Sequence, residues 1–237
     1  MTTRRKALVI IPTYNERDNV AAITTAALAA DPRLDVLIAD DNSPDGTGQI
    51  ADELAAKDPR VQVLHRAKKE GLGRAYLHAF AWGLERGYEY LIEMDADFSH
   101  DPKYLTPMLN EAEAGSDLVI GSRYVEGGGT VNWGPGRKVL SRGGSLYART
   151  ILGIHLRDLT AGFVCFRRAV LQAIDLNAVK SSGYAFQIEL KYRTLKAGFR
   201  VKEIPIVFED RRVGQSKMSR KIFIEGLTMV WKLKLSV

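Results

Sequence analysis

The sequence predicts an α/β fold with a mostly parallel β-sheet flanked by helices, and three observations support this prediction. Short β-branched runs recur along the first half of the chain, alanine-rich segments with helical spacing separate them, and each run ends in a polar or glycine-rich turn. The chain has 237 residues, of which 46% are hydrophobic and 26% charged, and that suffices for one large core.

The predicted strands and helices alternate in chain order. The first strand, ALVII, stops at Pro12, and the second, VLIA, runs into two aspartates. The third, VQVL, the fourth, YLIEM, and the fifth, LVI, each follow a helix-like segment, which is the spacing of βαβ units. The predicted strands cover residues 7–11, 36–39, 61–64, 90–94 and 118–120, and the predicted helices cover 17–30, 46–57, 73–86 and 102–114.

The second half of the chain has a different pattern. Residues 121–136 are rich in glycine and poor in helix formers, which predicts a long flexible loop. A helix is predicted over 137–152, and alternating apolar residues predict a strand over 200–208. We predict one domain over residues 1–217, followed by an amphipathic C-terminal helix over 218–237.

Charge and cysteine content narrow the class of protein. The net charge is +6 and the pI near 9.4, which favours anionic partners such as phosphorylated metabolites, nucleic acid or acidic membranes. The single cysteine, Cys165, excludes a disulfide framework and is predicted to be a buried core thiol. The apolar run at 7–11 is too short for a signal sequence, and we expect no membrane-spanning helix.

Polar residues directly follow three of the predicted strands, where parallel sheets bind their ligands. Asp95 and Asp97 follow the fourth strand, and in extended backbone their side chains point to the same face. Two carboxylates this close repel each other unless a cation lies between them. Carboxylates completed by substrate phosphates are typical ligands of Mg²⁺ or Mn²⁺, so the pair predicts a divalent metal site.

Competing interpretations explain less of this pattern. Helix capping accounts for Ser99 and Asp101, but it leaves Asp95 and Asp97 without a role. A dinucleotide site lacks its G-x-G-x-x-G motif after the first strand, and no G-x-x-x-x-G-K-[ST] loop is present. His100, at the start of a predicted helix, is expected to be polar surface.

Nine short motifs carry a family resemblance. PTYNE (12–16), ADDNSPDGT (39–47), GLGRAY (71–76), DADFSHDP (95–102) and GSRY (121–124) occur in family order. Together they resemble inverting family-two glycosyltransferases with a GT-A, Rossmann-like fold. SRGGS (141–145), RDLTAGF (157–163), GYAFQIE (183–189) and FEDRRVGQSK (208–217) are similar to polyprenol-phosphate mannosyltransferases, the dolichol-phosphate mannose synthase group.

The resemblance implies roles for individual residues. The nucleotide-sugar site is implied to contain Pro12, Tyr14, Glu16, Asp40, Asp41, Asp95, Ala96 and Asp97. The implied metal ligands are Asp95, Asp97 and, as a weaker ligand, Ser99. The implied acceptor-phosphate site contains Arg123, Arg137 and Ser141. Catalysis is assigned to Asp97, Arg211 and Lys217, the last two on a mobile loop with Ser216 that closes over the phosphates.

The resemblance also implies a reaction. Mannose would pass from GDP-mannose to a polyprenyl phosphate with inversion, giving a β-linked product and GDP. A phosphate monoester has a second pKa of about 6, so the nucleophile is already an anion and needs no strong general base. Arginine binds phosphate through a fork of N–H groups, so arginines are expected on the acceptor side.

The pattern of residues 218–237 predicts an amphipathic helix that brings the protein to a membrane surface. Their polar residues fall on one face of the predicted helix, and apolar residues cover most of the remaining surface. This apolar surface must pack on the protein or lie in a membrane interface. Trp231, with Lys232 and Lys234 beside it, favours the membrane. We therefore expect a peripheral protein at the cytoplasmic face of a membrane, and an integral-membrane partner subunit stays open.

Other functions stay open at this point. One alternative is an enzyme that transfers a sugar from another donor, such as UDP-glucose, to the same lipid phosphate. The nucleotide and metal motifs do not distinguish this donor from GDP-mannose. A non-catalytic sugar-nucleotide-binding protein is a further alternative. A nucleic-acid partner rests on charge alone, and acidic pairs at strand ends would repel a phosphate backbone, so we expect none.

Overall fold

The structure is a computed structural model, and it describes residues 6–179, 181, 183–210 and 228–235. The strands are β1 (Ala7–Thr13), β2 (Leu34–Asp40), β3 (Val61–His65), β4 (Tyr90–Glu93), β5 (Leu118–Ser122), β6 (Gly129–Val131), β7 (Val164–Arg167), β8 (Val201–Pro205) and β9 (Val207–Glu209). The helices are α1 (Val20–Ala30), α2 (Thr47–Lys57), α3 (Leu72–Glu85), α4 (Leu105–Glu113), α5 (Pro135–Leu152), α6 (Arg168–Ala173) and α7 (Gly183–Lys196).

Seven strands form one sheet in the order β3-β2-β1-β4-β7-β5-β8. The first four of these pair in parallel, and β8 is parallel to β5. Only β7 runs antiparallel, between β4 and β5, so the sheet is mostly parallel, as predicted. A second, two-stranded sheet pairs β6 with β9.

All five strands predicted in the first half are confirmed, and each following helix begins within about three residues of its predicted start. The predicted strand 200–208 is divided into β8 and β9 at Ile206, whose N–H donates to the carbonyl of Ser122 over 3.0 Å. The loop expected over 121–136 contains β6, which its pairing with the distant β9 stabilises. The strand β7 and the helices α6 and α7 were not predicted.

Alternate residues of the strands bury into two separate cores, one on each face of the sheet. Leu8 and Ile10 of β1 face a cluster formed with α3, α5 and α7. Val9 and Ile11 face a cluster formed with α1, α2 and α4. Cys165 of β7 is fully buried in the second cluster, which confirms the predicted core thiol, and burial raises the pKa of that thiol.

The C-terminal residues 228–235 are helical. Val230 and Leu233 pack with Leu152 of α5 in the first core, whereas Trp231 is 54% exposed. The predicted boundary between residues 217 and 218, and most of the predicted helix over 218–237, lie outside the described residues. In the part of the chain that the structure covers, no helix has the length and apolar character needed to cross a membrane.

We predict that Phe166→Ala lowers the free energy of unfolding by about 3–5 kcal/mol. Phe166 is fully buried in β7 and packs edge-to-face on Phe80, with ring centroids 5.4 Å apart. Urea unfolding followed by circular dichroism measures the change. Leu72→Ala is the control, since Leu72 is 43% exposed and should cost far less. An equal loss in both variants would contradict the central position of β7.

Candidate active site

The predicted site residues come together at one edge of the main sheet. The carboxyl ends of the parallel strands β1, β2, β4 and β5 meet there. Because β7 runs antiparallel, the segment before it, residues 158–163, reaches the same edge. The predicted residues that directly follow strands or end them are Pro12, Tyr14, Glu16, Asp40, Asp41, Asp95, Ala96, Asp97, Ser99 and Arg123.

Asp40 organises the turn after β1 and the turn after β2. It is 2% exposed and accepts hydrogen bonds from the hydroxyl groups of Thr13 (2.9 Å) and Ser43 (2.6 Å), and from the Ser43 N–H (3.0 Å). The Ser43 hydroxyl in turn accepts the N–H of Asn15 over 3.1 Å. Asp40 therefore stabilises both turns, and its carboxylate is already hydrogen-bonded within the protein.

Asp41 lies in a charged cluster with Arg66. The Arg66 guanidinium, 4% exposed, binds the carboxylate of Asp41 and also reaches Glu70 over 3.1 Å. Burial raises the pKa of Asp41, and the positive charge of Arg66 opposes this shift. The ammonium of Lys69 lies 3.8 Å from the ring centroid of Tyr14. Together these contacts place an aromatic ring, a carboxylate and two cations at the predicted nucleoside position.

The turn after β4 carries the predicted metal ligands. The Ser99 N–H donates to the Asp97 carboxylate over 3.1 Å, and Phe98 between them has a φ of 62°. The Ser99 hydroxyl is buried and has no hydrogen-bond partner among the described residues. No group of three or more His, Cys, Asp or Glu side chains forms a metal cage within those residues. Two carboxylates and one hydroxyl fit a cation whose remaining ligands come from substrate phosphates.

His100 stabilises the backbone of this turn. It is 2% exposed, so the expectation of polar surface is wrong. Its Nδ1 accepts the N–H of Asp95 over 3.0 Å, which places the ring proton on Nε2. The ring stacks on Phe163 at 4.9 Å and meets Phe208 edge-on at 5.6 Å. Tertiary packing against these two aromatic rings buries a histidine that looks exposed in the sequence.

A buried polar network lies beneath the carboxylates. Gln187 of α7 donates to Glu93 over 2.8 Å, and neither residue is exposed to more than 4%. The ammonium of Lys191, fully buried, donates to the carbonyls of Leu159 (3.1 Å) and Ala161 (2.7 Å). Burial raises the pKa of Glu93 and lowers the pKa of Lys191. The network fixes the backbone of the segment that precedes β7.

Arg123, predicted to bind the acceptor, is 5% exposed and paired with a buried aspartate. Its Nε and Nη2 donate to the two carboxylate oxygens of Asp158 over 2.7 and 2.6 Å, and Nη2 also reaches the Thr160 hydroxyl at 2.8 Å. Burial alone would raise the pKa of Asp158, but the charge and hydrogen bonds of Arg123 outweigh it and lower that pKa. The guanidinium of Arg123 is therefore engaged in a structural ion pair with Asp158.

Helix α5 carries the other two predicted acceptor residues. Arg137 donates to the carboxylate of Asp210 over 2.7 Å, and both side chains are about one-third exposed. The Ser141 hydroxyl accepts a hydrogen bond from the Tyr124 hydroxyl over 2.6 Å. Arg137 is thus the more accessible of the two predicted acceptor arginines.

Phe208 lies between the predicted metal ligands and the predicted acceptor residues. Its ring contacts His100, lies 5.3 Å from the ring centroid of Trp133, and is 5.6 Å from the guanidinium carbon of Arg123. The sequence motifs contained Phe208, but nothing in its spacing indicated this role. The predicted residues Arg211, Ser216 and Lys217 follow it in the chain and lie outside the described residues.

Comparison with known proteins identifies the family. The sequence profile of "Glycosyl transferase family 2" matches residues 8–175. The chain belongs to that family. The polyprenol monophosphomannose synthase of Mycolicibacterium smegmatis is 54% identical over 227 residues, 95% of this chain and 86% of that protein. The undecaprenyl-phosphate mannosyltransferase of Micrococcus luteus is 52% identical over 95% of this chain and 92% of its own length.

Solved structures confirm the predicted GT-A fold of this family 2 glycosyltransferase. A glucosyl-3-phosphoglycerate synthase from Mycobacterium tuberculosis, in complex with Mn²⁺, uridine diphosphate and phosphoglyceric acid, superposes with a TM-score of 0.70. The match covers 98% of this chain and 79% of that chain, at 16% sequence identity. Similarity at this level of identity concerns the fold alone.

We predict that Asp158→Asn lowers the free energy of unfolding of the glycosyltransferase by about 3 kcal/mol, because the buried charge of Arg123 loses its counter-charge. Urea denaturation monitored by circular dichroism provides the measurement. Asp52→Asn is the matched control, since Asp52 pairs with His65 at the surface, with 59% of its side chain exposed. It should cost less than about 1 kcal/mol. Similar losses in both variants would argue against a buried ion pair.

Proposed function

We propose that this glycosyltransferase transfers mannose from GDP-mannose to a polyprenyl phosphate, with inversion, and releases GDP. The proposal is carried by similarity over 95% of the chain to a polyprenol monophosphomannose synthase and to an undecaprenyl-phosphate mannosyltransferase. The site agrees with it, because carboxylates on one side and arginines on the other meet at one sheet edge. This charge pattern suits a metal-bound diphosphate beside an anionic acceptor.

Asp95, Asp97 and Ser99 would hold Mg²⁺ or Mn²⁺ together with the donor diphosphate. The buried Ser99 hydroxyl, which has no partner among the described residues, supports this assignment. A bound divalent cation stabilises the negative charge that develops on a leaving diphosphate. His100 and the Ser99 N–H keep the backbone and carboxylates of this turn in place.

On the donor side, Tyr14, Glu16 and Asp41 would hold the nucleoside. The Glu16 backbone N–H is anchored to the Thr47 hydroxyl over 3.0 Å, and Asp41 is held by Arg66. The nucleotide and metal motifs of the sequence do not distinguish GDP-mannose from a UDP-sugar. Transfer from a UDP-sugar is therefore the second candidate function.

On the acceptor side, the phosphate of the lipid would attack the anomeric carbon directly, and a single displacement inverts that centre. The nucleophile is already ionised near neutral pH, so no general base is needed. Glu93, the carboxylate nearest in sequence to the metal pair, is fully buried and bonded to Gln187, as expected for a structural group. Arg137 and Ser141 would orient the phosphate.

Helix α5 and the C-terminal helix would rest on the membrane that holds the lipid, at its cytoplasmic face. Val139 is 72% exposed, Leu146 is 53% exposed, and the 18 residues of α5 include no aspartate or glutamate. Trp231 of the C-terminal helix is 54% exposed. Exposed apolar residues with a basic balance are typical of surfaces that lie on anionic membranes.

The test is transfer of labelled mannose from GDP-mannose to a short polyprenyl phosphate, with Mg²⁺, with Mn²⁺, and with EDTA. Parallel reactions carry UDP-glucose and UDP-N-acetylglucosamine. Metal-dependent transfer from GDP-mannose alone, with a β-linked product, would support the proposal. Transfer from a UDP-sugar instead would establish the rival donor, and no transfer from any donor would favour a non-catalytic sugar-nucleotide-binding protein.

We predict that Asp97→Ala lowers kcat about a thousandfold, because the metal supplies several kcal/mol in the transition state. Steady-state kinetics with saturating Mn²⁺ measure the loss, and circular dichroism checks the fold. Asp101→Ala is the control: Asp101 binds the neighbouring Lys103 at the surface over 2.7 Å and should leave kcat unchanged. An active Asp97→Ala enzyme would refute the metal assignment.

We predict that Arg137→Ala raises the KM for polyprenyl phosphate about tenfold and leaves the KM for GDP-mannose nearly constant, because a charge-assisted hydrogen bond to the acceptor is lost. Lys138→Ala, one residue away and exposed, serves as the charge-matched control. Equal increases in both KM values would show that Arg137 does not belong to the acceptor side.

A further inference from the structure

Trp133 lies between β6 and α5 and contains an unsatisfied buried group. The residue is 7% exposed, and its indole Nε1 is buried without a hydrogen-bond acceptor among the described residues. An indole N–H is only a donor, and leaving such a group buried and unpaired is energetically unfavourable. Proteins rarely keep such a group without a reason.

The surroundings of Trp133 indicate which partner is missing. The guanidinium carbon of Arg137 lies 4.2 Å from the ring centroid, and that of Arg123 lies 5.3 Å from it. The family resemblance implies an acceptor role for both arginines, but the guanidinium of Arg123 is bonded to Asp158, and only Arg137 lies near solvent. A negatively charged oxygen already occupies this cluster, since the carboxylate of Asp210 binds Arg137 over 2.7 Å. The ring that carries the unpaired N–H therefore lies beside two guanidinium groups, and such positive charge attracts oxyanions.

We propose that Trp133 donates its indole N–H to a phosphate oxygen of the lipid acceptor, beside Arg137. This inference rests on the proposed function, because it names a further residue of the proposed acceptor site. The Phe208 ring meets the indole edge-on at 5.3 Å and Arg137 covers its face, so the ring is held in one orientation. A preorganised donor loses little entropy when the phosphate binds.

The first experiment measures the binding of decyl phosphate by calorimetry in the absence of donor. Trp133→Phe keeps an aromatic ring but removes the N–H, and we expect it to weaken binding about tenfold while the affinity for GDP with Mn²⁺ stays constant. Trp82→Phe is the matched control: Trp82 lies in α3 and packs on Arg86 and Tyr88, which follow that helix. Unchanged decyl phosphate binding in Trp133→Phe overturns the inference.

A second measurement works in the wild-type protein, whether or not the variant folds. The chain has three tryptophans, so ¹⁵N-labelled protein gives three indole N–H signals in solution NMR. The Trp133 signal should move downfield on addition of decyl phosphate, and the Trp82 signal should not. A Trp133 signal that responds to GDP with Mn²⁺ but not to decyl phosphate would overturn the acceptor assignment.

These outcomes separate the inference from the proposed function. Mannosyl transfer by the wild type, together with an unaffected Trp133→Phe enzyme, would remove Trp133 from the acceptor site and leave the proposed reaction standing. Weaker decyl phosphate binding in Trp133→Phe, combined with transfer from a UDP-sugar, would support the inference and revise the donor. If the wild type binds no decyl phosphate, the inference fails whatever the donor.

Discussion

Lys191 holds the segment that connects the two halves of the site. Its buried ammonium binds the carbonyls of Leu159 and Ala161, and the antiparallel course of β7 brings this segment to the ligand-binding edge of an otherwise parallel run of strands. From there Asp158 fixes Arg123, while Phe163 supports His100 and, through it, the backbone of Asp95. Because a buried charge is stable only when its bonds are satisfied, this arrangement is strongly specified.

Six buried side-chain groups lack a hydrogen-bond partner within the described residues; four belong to residues in or beside the candidate site, whereas Thr24 and Ser145 lie in helices α1 and α5. The hydroxyl of Ser99, one carboxylate oxygen of Glu93 and the indole N–H of Trp133 lack partners among the described residues. The Tyr76 hydroxyl is also without a partner there, and burial together with Asp95 and neighbouring carboxylates raises its pKa well above the usual value. Folding alone would not favour such groups, so these four are consistent with a site that is completed by metal and substrates.

Prediction from sequence succeeded for features that local patterns encode. Each strand of the first half contains β-branched residues and ends in a turn, and predicted site residues end or directly follow β1, β2, β4 and β5, as at Asp95. Prediction failed where the stabilising partner is distant in the chain. β7 is only four residues long and β6 only three, and both exist because of pairing with remote strands. His100 was misjudged because two aromatic rings, far apart in sequence, bury it.

The sequence by itself determined the fold class, the strand-end position of the acidic pair, the buried thiol and the family resemblance, because these depend on residue order and periodicity. Only the tertiary structure decided which polar groups bind each other. Arg123 and Arg137 both occur in glycine-rich stretches, and the sequence does not distinguish their environments. In the structure Arg123 pairs with the buried Asp158, whereas Arg137 pairs with Asp210 near solvent. That difference depends on burial and on contacts between distant residues, which no local pattern records.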